Sequence, residues 1–98
     1  MQFEIVLSNR AKESLRVLSQ NPALEKRYKA VKKAIGYLAN NPRHPSLNTH
    51  EFQSCTGPNG AKMFEAYAEN NTPGAYRIFW CYGYFKGEIT ICDIIAHP

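Results

Sequence analysis

The sequence has no apolar run of the roughly 20 residues that a transmembrane helix needs. The first ten residues, MQFEIVLSNR, carry Glu4 inside an apolar stretch that is too short for a signal peptide. Cysteine is also scarce, with 3 residues, an odd number and no CxxC spacing, which argues against a disulfide framework or a zinc site. These absences predict a cytoplasmic protein without membrane association, metal or cofactor.

Acidic residues are outnumbered, with 8 Asp and Glu against 12 Lys and Arg and a net charge of +4. The excess lies in residues 1–50, which hold nine basic and three acidic residues, whereas residues 51–98 hold three basic and five acidic ones. A basic half of this kind is typical either of a surface that binds nucleic acid or of an ordinary solvated helix face. Both interpretations stay open at this point.

A length of 98 residues predicts a single domain over residues 1–98 with a modest core. Residues 2–7 are predicted to form a short strand, and Ser8 or Asn9 to cap a helix over residues 10–20. Asn21-Pro22 marks the start of a second helix that ends near Ala39. Its apolar positions recur at steps of three and four and form one packing stripe: Leu24, Tyr28, Val31, Ile35 and Leu38.

The second half of the chain has the composition of strands and turns. Residues 43–60 are rich in loop residues and contain a short extended piece at 50–53, and residues 62–69, 76–80 and 89–95 are predicted strands. The order β-α-α-β-β-β predicts an α+β domain. In it a helical hairpin packs on one face of a mostly antiparallel sheet, and the first strand joins at an edge.

The last two strands form a predicted hairpin with a two-residue turn at Lys86-Gly87. This register places five residues under the helices, namely Ile78, Trp80, Ile89, Ile91 and Ile95. It places Arg77 on the uncovered face together with Phe79, Cys92 and Ile94. His97 then falls on the covered face, unless the last strand ends or bulges before it.

Several short motifs in this order resemble the RelE/ParE superfamily of bacterial toxins from type II toxin–antitoxin modules. The motifs are an HPSL run after the second helix, then FEAY at residues 64–67, YRIFW at 76–80 and IIAH at 94–97. The family includes ribosome-dependent messenger RNA endonucleases and gyrase poisons, each held inactive by a small antitoxin. The resemblance covers nearly the whole chain.

The resemblance implies catalytic roles for two residues. Arg77 matches the arginine that family nucleases place against the scissile phosphate, and its planar guanidinium suits that task. His97 matches a histidine of the last strand that some members use as an acid or base. Glu65 and His50 are further candidates for the base.

RNA-binding residues are assigned less directly. The basic positions of the second helix, Lys26, Lys29, Lys32 and Lys33, are expected to contact ribosomal RNA, and Tyr67 and Tyr82 are candidate stacking surfaces for a base. The chain departs from one nuclease branch of the family, because Glu65 and Tyr67 stand where that branch has lysines.

Three functions are therefore compared: a ribosome-associated messenger RNA endonuclease, a non-catalytic gyrase inhibitor, and an inactive module that only binds an antitoxin. Arg77 with His97 favours the endonuclease, and the missing lysines favour the gyrase inhibitor. In each case the expected partner is a small antitoxin laid over the apolar face that bears Arg77. A homodimer burying the same face is the alternative.

Overall fold

The computed structural model describes residues 2–70 and 72–97. The chain is α+β, as predicted, with two helices packed on one five-stranded sheet. The elements are β1 (Glu4–Leu7), α1 (Asn9–Gln20), α2 (Glu25–Asn40), β2 (His50–Thr56), β3 (Lys62–Tyr67), β4 (Tyr76–Tyr82) and β5 (Glu88–Ala96). Asn71, part of the predicted turn between β3 and β4, lies outside the described residues.

The strand order across the sheet is β1-β5-β4-β3-β2. The edge strand β1 pairs in parallel with β5, and the other neighbouring pairs are antiparallel. The predicted edge position of the first strand is confirmed. The extended piece predicted at residues 50–53 is longer than expected and forms the opposite edge strand, β2.

The helix starts follow the local capping chemistry. The hydroxyl of Ser8 accepts a hydrogen bond from the backbone N–H of Ala11 at 3.0 Å, and the side chain of Asn21 does the same for Ala23 at 3.0 Å. Each cap satisfies a backbone donor that has no partner inside its own helix. After Asn21 the chain makes one 3₁₀ turn, Pro22–Leu24, so that α2 begins at Glu25.

The core lies between the helices and one face of the sheet, which we call the covered face. Its fully buried side chains come from both helices, from the segment after α2 and from the central strands: Leu18, Val31, Leu38, Leu47, Ile78, Trp80, Ile89, Ile91 and Ile94. Burying one such aliphatic side chain stabilises the fold by roughly 1.5–3 kcal/mol. The largest buried side chains therefore lie between the helices and the covered face.

The predicted two-residue turn at Lys86-Gly87 is wrong. Strands β4 and β5 are joined by residues 83–87, and the backbone N–H of Gly83 donates to the carbonyl of Glu88 at 2.8 Å. Gly87 takes a positive φ of 86°, which glycine adopts without steric cost. The longer loop shifts the pairing, so that Cys81 lies opposite Thr90.

A β-bulge then shifts the register of the same hairpin a second time. Trp80 pairs with Ile91 but Phe79 pairs with Asp93, which leaves Cys92 as the extra residue of β5. Because side chains alternate along a strand, one extra residue exchanges the two faces for everything that follows.

This bulge corrects the predicted faces of the last strand. Ile94, predicted on the uncovered face, is buried at 1% exposure, and Ile95, predicted under the helices, is 43% exposed. Arg77 now lies opposite Ile95, and the backbone N–H of His97 donates to the carbonyl of Ala75 at 2.8 Å. Alternation therefore places His97 on the side of the sheet that carries Arg77, which resolves the conflict in the predicted register.

Candidate active site on the uncovered face of the sheet

The side of the sheet away from the helices, which we call the open face, carries a cluster of polar residues. Tyr67 of β3 pairs with Arg77 of β4, and Glu65 of β3 pairs with His50 of β2. These four residues are cross-strand neighbours on three adjacent strands. The sheet register thus brings Glu65 and Tyr67 of one strand together with His50 and Arg77, which come from separate segments of the chain.

Arg77 is held on several sides, yet one of its N–H groups has no hydrogen-bond partner. Its guanidinium carbon lies 3.8 Å from the centre of the Tyr67 ring, and Nη1 donates to the carbonyl of Glu69 at 3.3 Å. Nε lies 3.9 Å from Oε2 of Glu65, which allows an ion pair but is too long for a hydrogen bond. Among the described residues Nε is buried without a hydrogen-bond partner. The guanidinium is therefore a cation held in one position, 12% exposed, and a positive charge of this kind suits an anion.

His50 and Glu65 form a close pair beside this cation. Nε2 of His50 lies 2.7 Å from Oε1 of Glu65, and Nδ1 lies 3.3 Å from the carbonyl oxygen of Asn48. Both ring nitrogens thus face acceptor oxygens, and a single ring proton can serve only one of these two contacts. Glu65 is buried whereas the His50 side chain is 49% exposed. The exposed ring can exchange a proton with a bound molecule while the carboxylate orients it.

The structure places the remaining predicted site residues elsewhere. Tyr82 lies on the covered side of the sheet, where its ring contacts the rings of Trp80 and Phe64, and it takes no part in the Arg77 cluster. The four lysines, Lys26, Lys29, Lys32 and Lys33, are exposed on α2, which packs on the covered face. They lie on the opposite side of the sheet from Arg77. His97 is exposed at the end of β5.

Two residues that the sequence analysis missed hold the cluster in place. Glu69 contributes its carbonyl to Arg77, and its carboxylate forms an ion pair with Nη1 of Arg27 at 2.9 Å. Arg27 also donates to the carbonyls of Pro73 and Gly74 in the segment that leads to β4. The alternation of FEAYAE puts Glu69 in phase with Glu65, and this pattern could have identified Glu69. The contact from α2 left no sequence signal.

An apolar groove crosses the open face next to the polar cluster. The rings of Phe52 and Phe79 meet edge to face at 4.9 Å, and the groove encloses about 280 Å³. Its other lining residues are Arg10, Cys55, Met63, Cys92, Asp93 and Ile95. Arg10 and Asp93 form an ion pair at 3.6 Å at this groove. A groove of this composition, lying beside a polar cluster, is typical of a surface that receives a protein segment.

The thiol of Cys92 packs against a second thiol at the same groove. The sulfur atoms of Cys81 and Cys92 are 3.6 Å apart, and both cysteines are free. Burial, followed by the hydrogen bond with Cys81, raises the pKa of Cys92 to about 12. The Cys92 thiol is therefore neutral near pH 7 and serves as a packing group.

Neither a metal cluster nor a membrane helix is found in the part of the chain that the structure describes. Across residues 2–70 and 72–97, no three His, Cys, Asp or Glu side chains come together to hold a metal ion. Over the same residues no helix has the length and hydropathy needed to cross a bilayer.

Comparison at the level of sequence finds no matching protein-family model and no matching curated protein. Comparison of structures finds the RelE–RelB complex from Pyrococcus horikoshii OT3, with a TM-score of 0.65 and 13% identity over 98% of this chain and 96% of that chain. The YoeB dimer from Staphylococcus aureus matches with a TM-score of 0.65 and 14% identity over 100% of both chains.

A YoeB/ParE toxin from Agrobacterium tumefaciens matches with a TM-score of 0.64 and 9% identity over 97% of this chain and 99% of that chain. At these identities the likeness concerns the fold, and it extends over the full length of each chain. The chain thus has the fold of the RelE, YoeB and ParE toxins, which the sequence motifs predicted.

Proposed function

We propose that this chain is the toxin of a type II toxin–antitoxin module and that it cleaves messenger RNA on the ribosome without a metal ion. The observation that carries the proposal is Arg77, a nearly buried cation with an unpartnered Nε on a face that no helix covers. A proton-transfer pair, His50 and Glu65, lies beside it. RNA cleavage by the ribose 2′-hydroxyl requires a cation that stabilises the phosphate and groups that transfer protons. Arg77 is the cation, and His50 with Glu65 is the proton-transfer pair.

In this mechanism the 2′-hydroxyl of the RNA loses its proton and its oxygen attacks the adjacent phosphorus. The bond from phosphorus to the 5′-oxygen of the next nucleotide breaks, which gives a 2′,3′-cyclic phosphate and a 5′-hydroxyl. Arg77 stabilises the extra negative charge on the phosphate oxygens during this exchange. Because Tyr67 and Glu69 already hold the guanidinium, little reorganisation is needed when the charge develops.

Two groups carry the protons. The imidazole of His50 keeps a proton on Nε2, where Glu65 orients it, and accepts the proton of the 2′-hydroxyl on Nδ1, which must turn from the Asn48 carbonyl to do so. His97, which alternation assigns to the same side, returns a proton to the leaving 5′-oxygen.

The lysines of α2 bind ribosomal RNA in this proposal and take no part in cleavage. Lys26, Lys29, Lys32 and Lys33 are exposed on one helix on the side of the sheet away from Arg77. Charge reversal of the four lysines should weaken ribosome binding, and binding by the unchanged protein should fall steeply with salt. If ribosome binding is indifferent to both changes, the basic helix is only a solvated face.

The antitoxin is proposed to occupy the apolar groove of the open face. An antitoxin segment seated there would bury Phe52 and Phe79 and cover Arg77, so that binding and inhibition would be one event. The structural match to RelE of a RelE–RelB complex supports this kind of partner. Hydrogen exchange tests this proposal. It is measured on the chain alone and on its complex with the small protein encoded by the neighbouring reading frame, which is the expected antitoxin. Unchanged protection of residues 76–80 refutes the proposal, and protection that depends only on the chain's own concentration indicates a homodimer instead.

The experiment for the proposed activity is induced expression in a bacterium, with protein synthesis, messenger RNA ends and DNA supercoiling followed together. The native chain should stop translation and produce new RNA ends, and a soluble Arg77→Ala variant should lose about 10²–10³-fold of the cleavage rate. DNA damage with intact messenger RNA would assign the gyrase function instead. Full toxicity of the Arg77→Ala variant would overturn the mechanism.

A further inference from the structure

A second cleft lies on the other side of the sheet from Arg77. It opens between the segment that follows α2 and the covered faces of β3 and β4, and it encloses about 560 Å³. The lining residues are Pro42, Arg43, His44, Pro45, Asn48, Thr49, Phe64, Trp80 and Tyr82. The functions considered so far make no use of this cleft.

Two polar atoms of the cleft residues lack partners. Within residues 2–70 and 72–97, neither Nε1 of Trp80 nor Oγ1 of Thr49 makes a hydrogen bond, although both atoms are buried. Trp80 as a whole is only 2% exposed. A buried polar group without a partner costs folding free energy, so two of them at one cleft indicate that something else completes the site.

Aromatic rings form one wall of the cleft. Phe64 and Trp80 are stacked, with ring centres 4.8 Å apart and an angle of 27° between the planes. Tyr82 stands nearly perpendicular to Trp80 at 5.1 Å and is 46% exposed. These rings offer a planar ligand both a face and an edge to contact.

The charge of the cleft favours an anion. Arg43 is exposed at the cleft, and none of the described residues that line it is acidic. His44 stacks on the ring of Tyr37 at 3.9 Å, and its Nδ1 accepts a hydrogen bond from the backbone N–H of Ser46. The neutral imidazole therefore carries its proton on Nε2, where it is a donor.

We propose that this cleft binds a nucleotide, with the base against the aromatic wall and the phosphate on Arg43. A base that parts the side chains over Nε1 of Trp80 and Oγ1 of Thr49 offers these two buried atoms the partners that they lack. A phosphate matches a cationic rim without carboxylates. The nucleotide is either free or part of an RNA strand, and both sources present the same chemistry. The site is separate from the Arg77 cluster and does not depend on the proposed cleavage activity.

Trp80 is the single tryptophan of the sequence, so its fluorescence reports on the cleft directly. Titration with AMP, GMP, CMP and UMP should quench it saturably for at least one base, whereas inorganic phosphate alone should not. Arg43→Ala should weaken binding about tenfold, because a charge-assisted contact is lost. The control Arg16→Ala, an exposed residue of α1 paired with Glu13, should leave it unchanged.

Thr49→Val gives a second test, because it removes the hydroxyl and keeps the shape. The variant should be as stable as the native chain or more stable, yet bind the nucleotide more weakly. A tetraribonucleotide is titrated in the Arg77→Ala background so that it is not consumed. If the tetraribonucleotide saturates the quenching at a lower concentration than the mononucleotide does, the ligand of the cleft is an RNA strand. If it binds equally well or more weakly, the ligand is a free nucleotide.

Absence of saturable quenching by any of the four mononucleotides would overturn the proposal. Quenching that both Arg43→Ala and Thr49→Val leave unchanged would do the same. Failure of the cleavage experiments would leave this titration unaffected, since Asn48 alone among the described lining residues contacts the open-face cluster, and it does so through its backbone carbonyl.

Discussion

The carbonyl oxygen of Glu69 accepts a hydrogen bond from Nη1 of Arg77 at 3.3 Å, while the carboxylate of the same residue pairs with Arg27 at 2.9 Å. One residue thus links α2 to the cation of the candidate active site. The Glu69 side chain is 11% exposed and that of Arg27 27% exposed, so the pair is screened less than a surface ion pair. The position of Arg77 therefore depends on a helix that never touches the open face.

Arg27→Ala is expected to reduce cleavage without removing any residue of the open face. The substitution removes the ion pair and the hydrogen bonds to the carbonyls of Pro73 and Gly74. The segment that leads into β4 should then be held less firmly, and the unfolding free energy should fall by about 1–2 kcal/mol. Urea denaturation and a cleavage assay measure the two effects. Arg16→Ala is the control, because its pair with Glu13 is exposed on α1 and contributes little to stability. Native activity in a destabilised Arg27→Ala protein would contradict the positioning role.

Arg77→Lys should be nearly as inactive as Arg77→Ala. Lysine keeps the charge but has no planar group to stack on Tyr67 and no fork to span two phosphate oxygens. A loss of about 10²-fold or more in the single-turnover cleavage rate is expected. Arg10→Lys, at an exposed arginine of α1, serves as the matched control. Full activity of Arg77→Lys would mean that charge alone is sufficient.

Ile94→Ala and Ile95→Ala form a matched pair that tests the register of β5. Ile94 is 1% exposed in the core and Ile95 is 43% exposed on the open face. The first substitution should cost about 2–5 kcal/mol of unfolding free energy because it leaves a cavity, and the second less than about 1 kcal/mol. Chemical denaturation of both variants measures the difference. The reverse order would show that β5 lacks the bulge.

The two helices could be predicted from the sequence because their signals are local, and the edge position of the first strand was also predicted. Ser8 and Asn21 mark helix starts through short-range hydrogen bonds, and the stripe from Leu24 to Leu38 has the helical period. Arg77 is selected through the resemblance of the motif at residues 76–80, and its catalytic role stays a prediction.

The faces of β5 could not be predicted, since they depend on the length of the preceding loop and on a bulge that has no sequence signature at Cys92. The pairing of His50 with Glu65 arises from β2, whose full length the pattern did not indicate. The contact of Arg27 with Glu69 joins residues 42 positions apart, and no sequence pattern around either residue predicts it.

The three thiols should differ sharply in reactivity. Cys55 is exposed, whereas burial and the contact with Cys81 raise the pKa of Cys92 to about 12 and keep it protonated. Iodoacetamide at about pH 8 should therefore label Cys55 first, and Cys81 and Cys92 only after unfolding, because the thiolate is the reacting form. Mass spectrometry over time measures this. A Cys55→Ser variant should lose the fast phase, and rapid labelling of Cys92 in the folded protein would contradict the assignment.

The bulge at Cys92 makes the composition of the site depend on how β5 accommodates one extra residue, and not only on which residues the strand contains. Deleting Cys92 would remove the bulge, yet Ile94 would remain opposite Ile78 and Ile95 opposite Arg77, so every later side chain would keep its face. Pairing Cys92 with Phe79 in a regular ladder would instead invert the phase of everything after it. Ile95 would then turn toward the helices, Ile94 toward solvent, and His97 away from Arg77, so the terminal segment tolerates the loss of this residue better than its incorporation into the ladder.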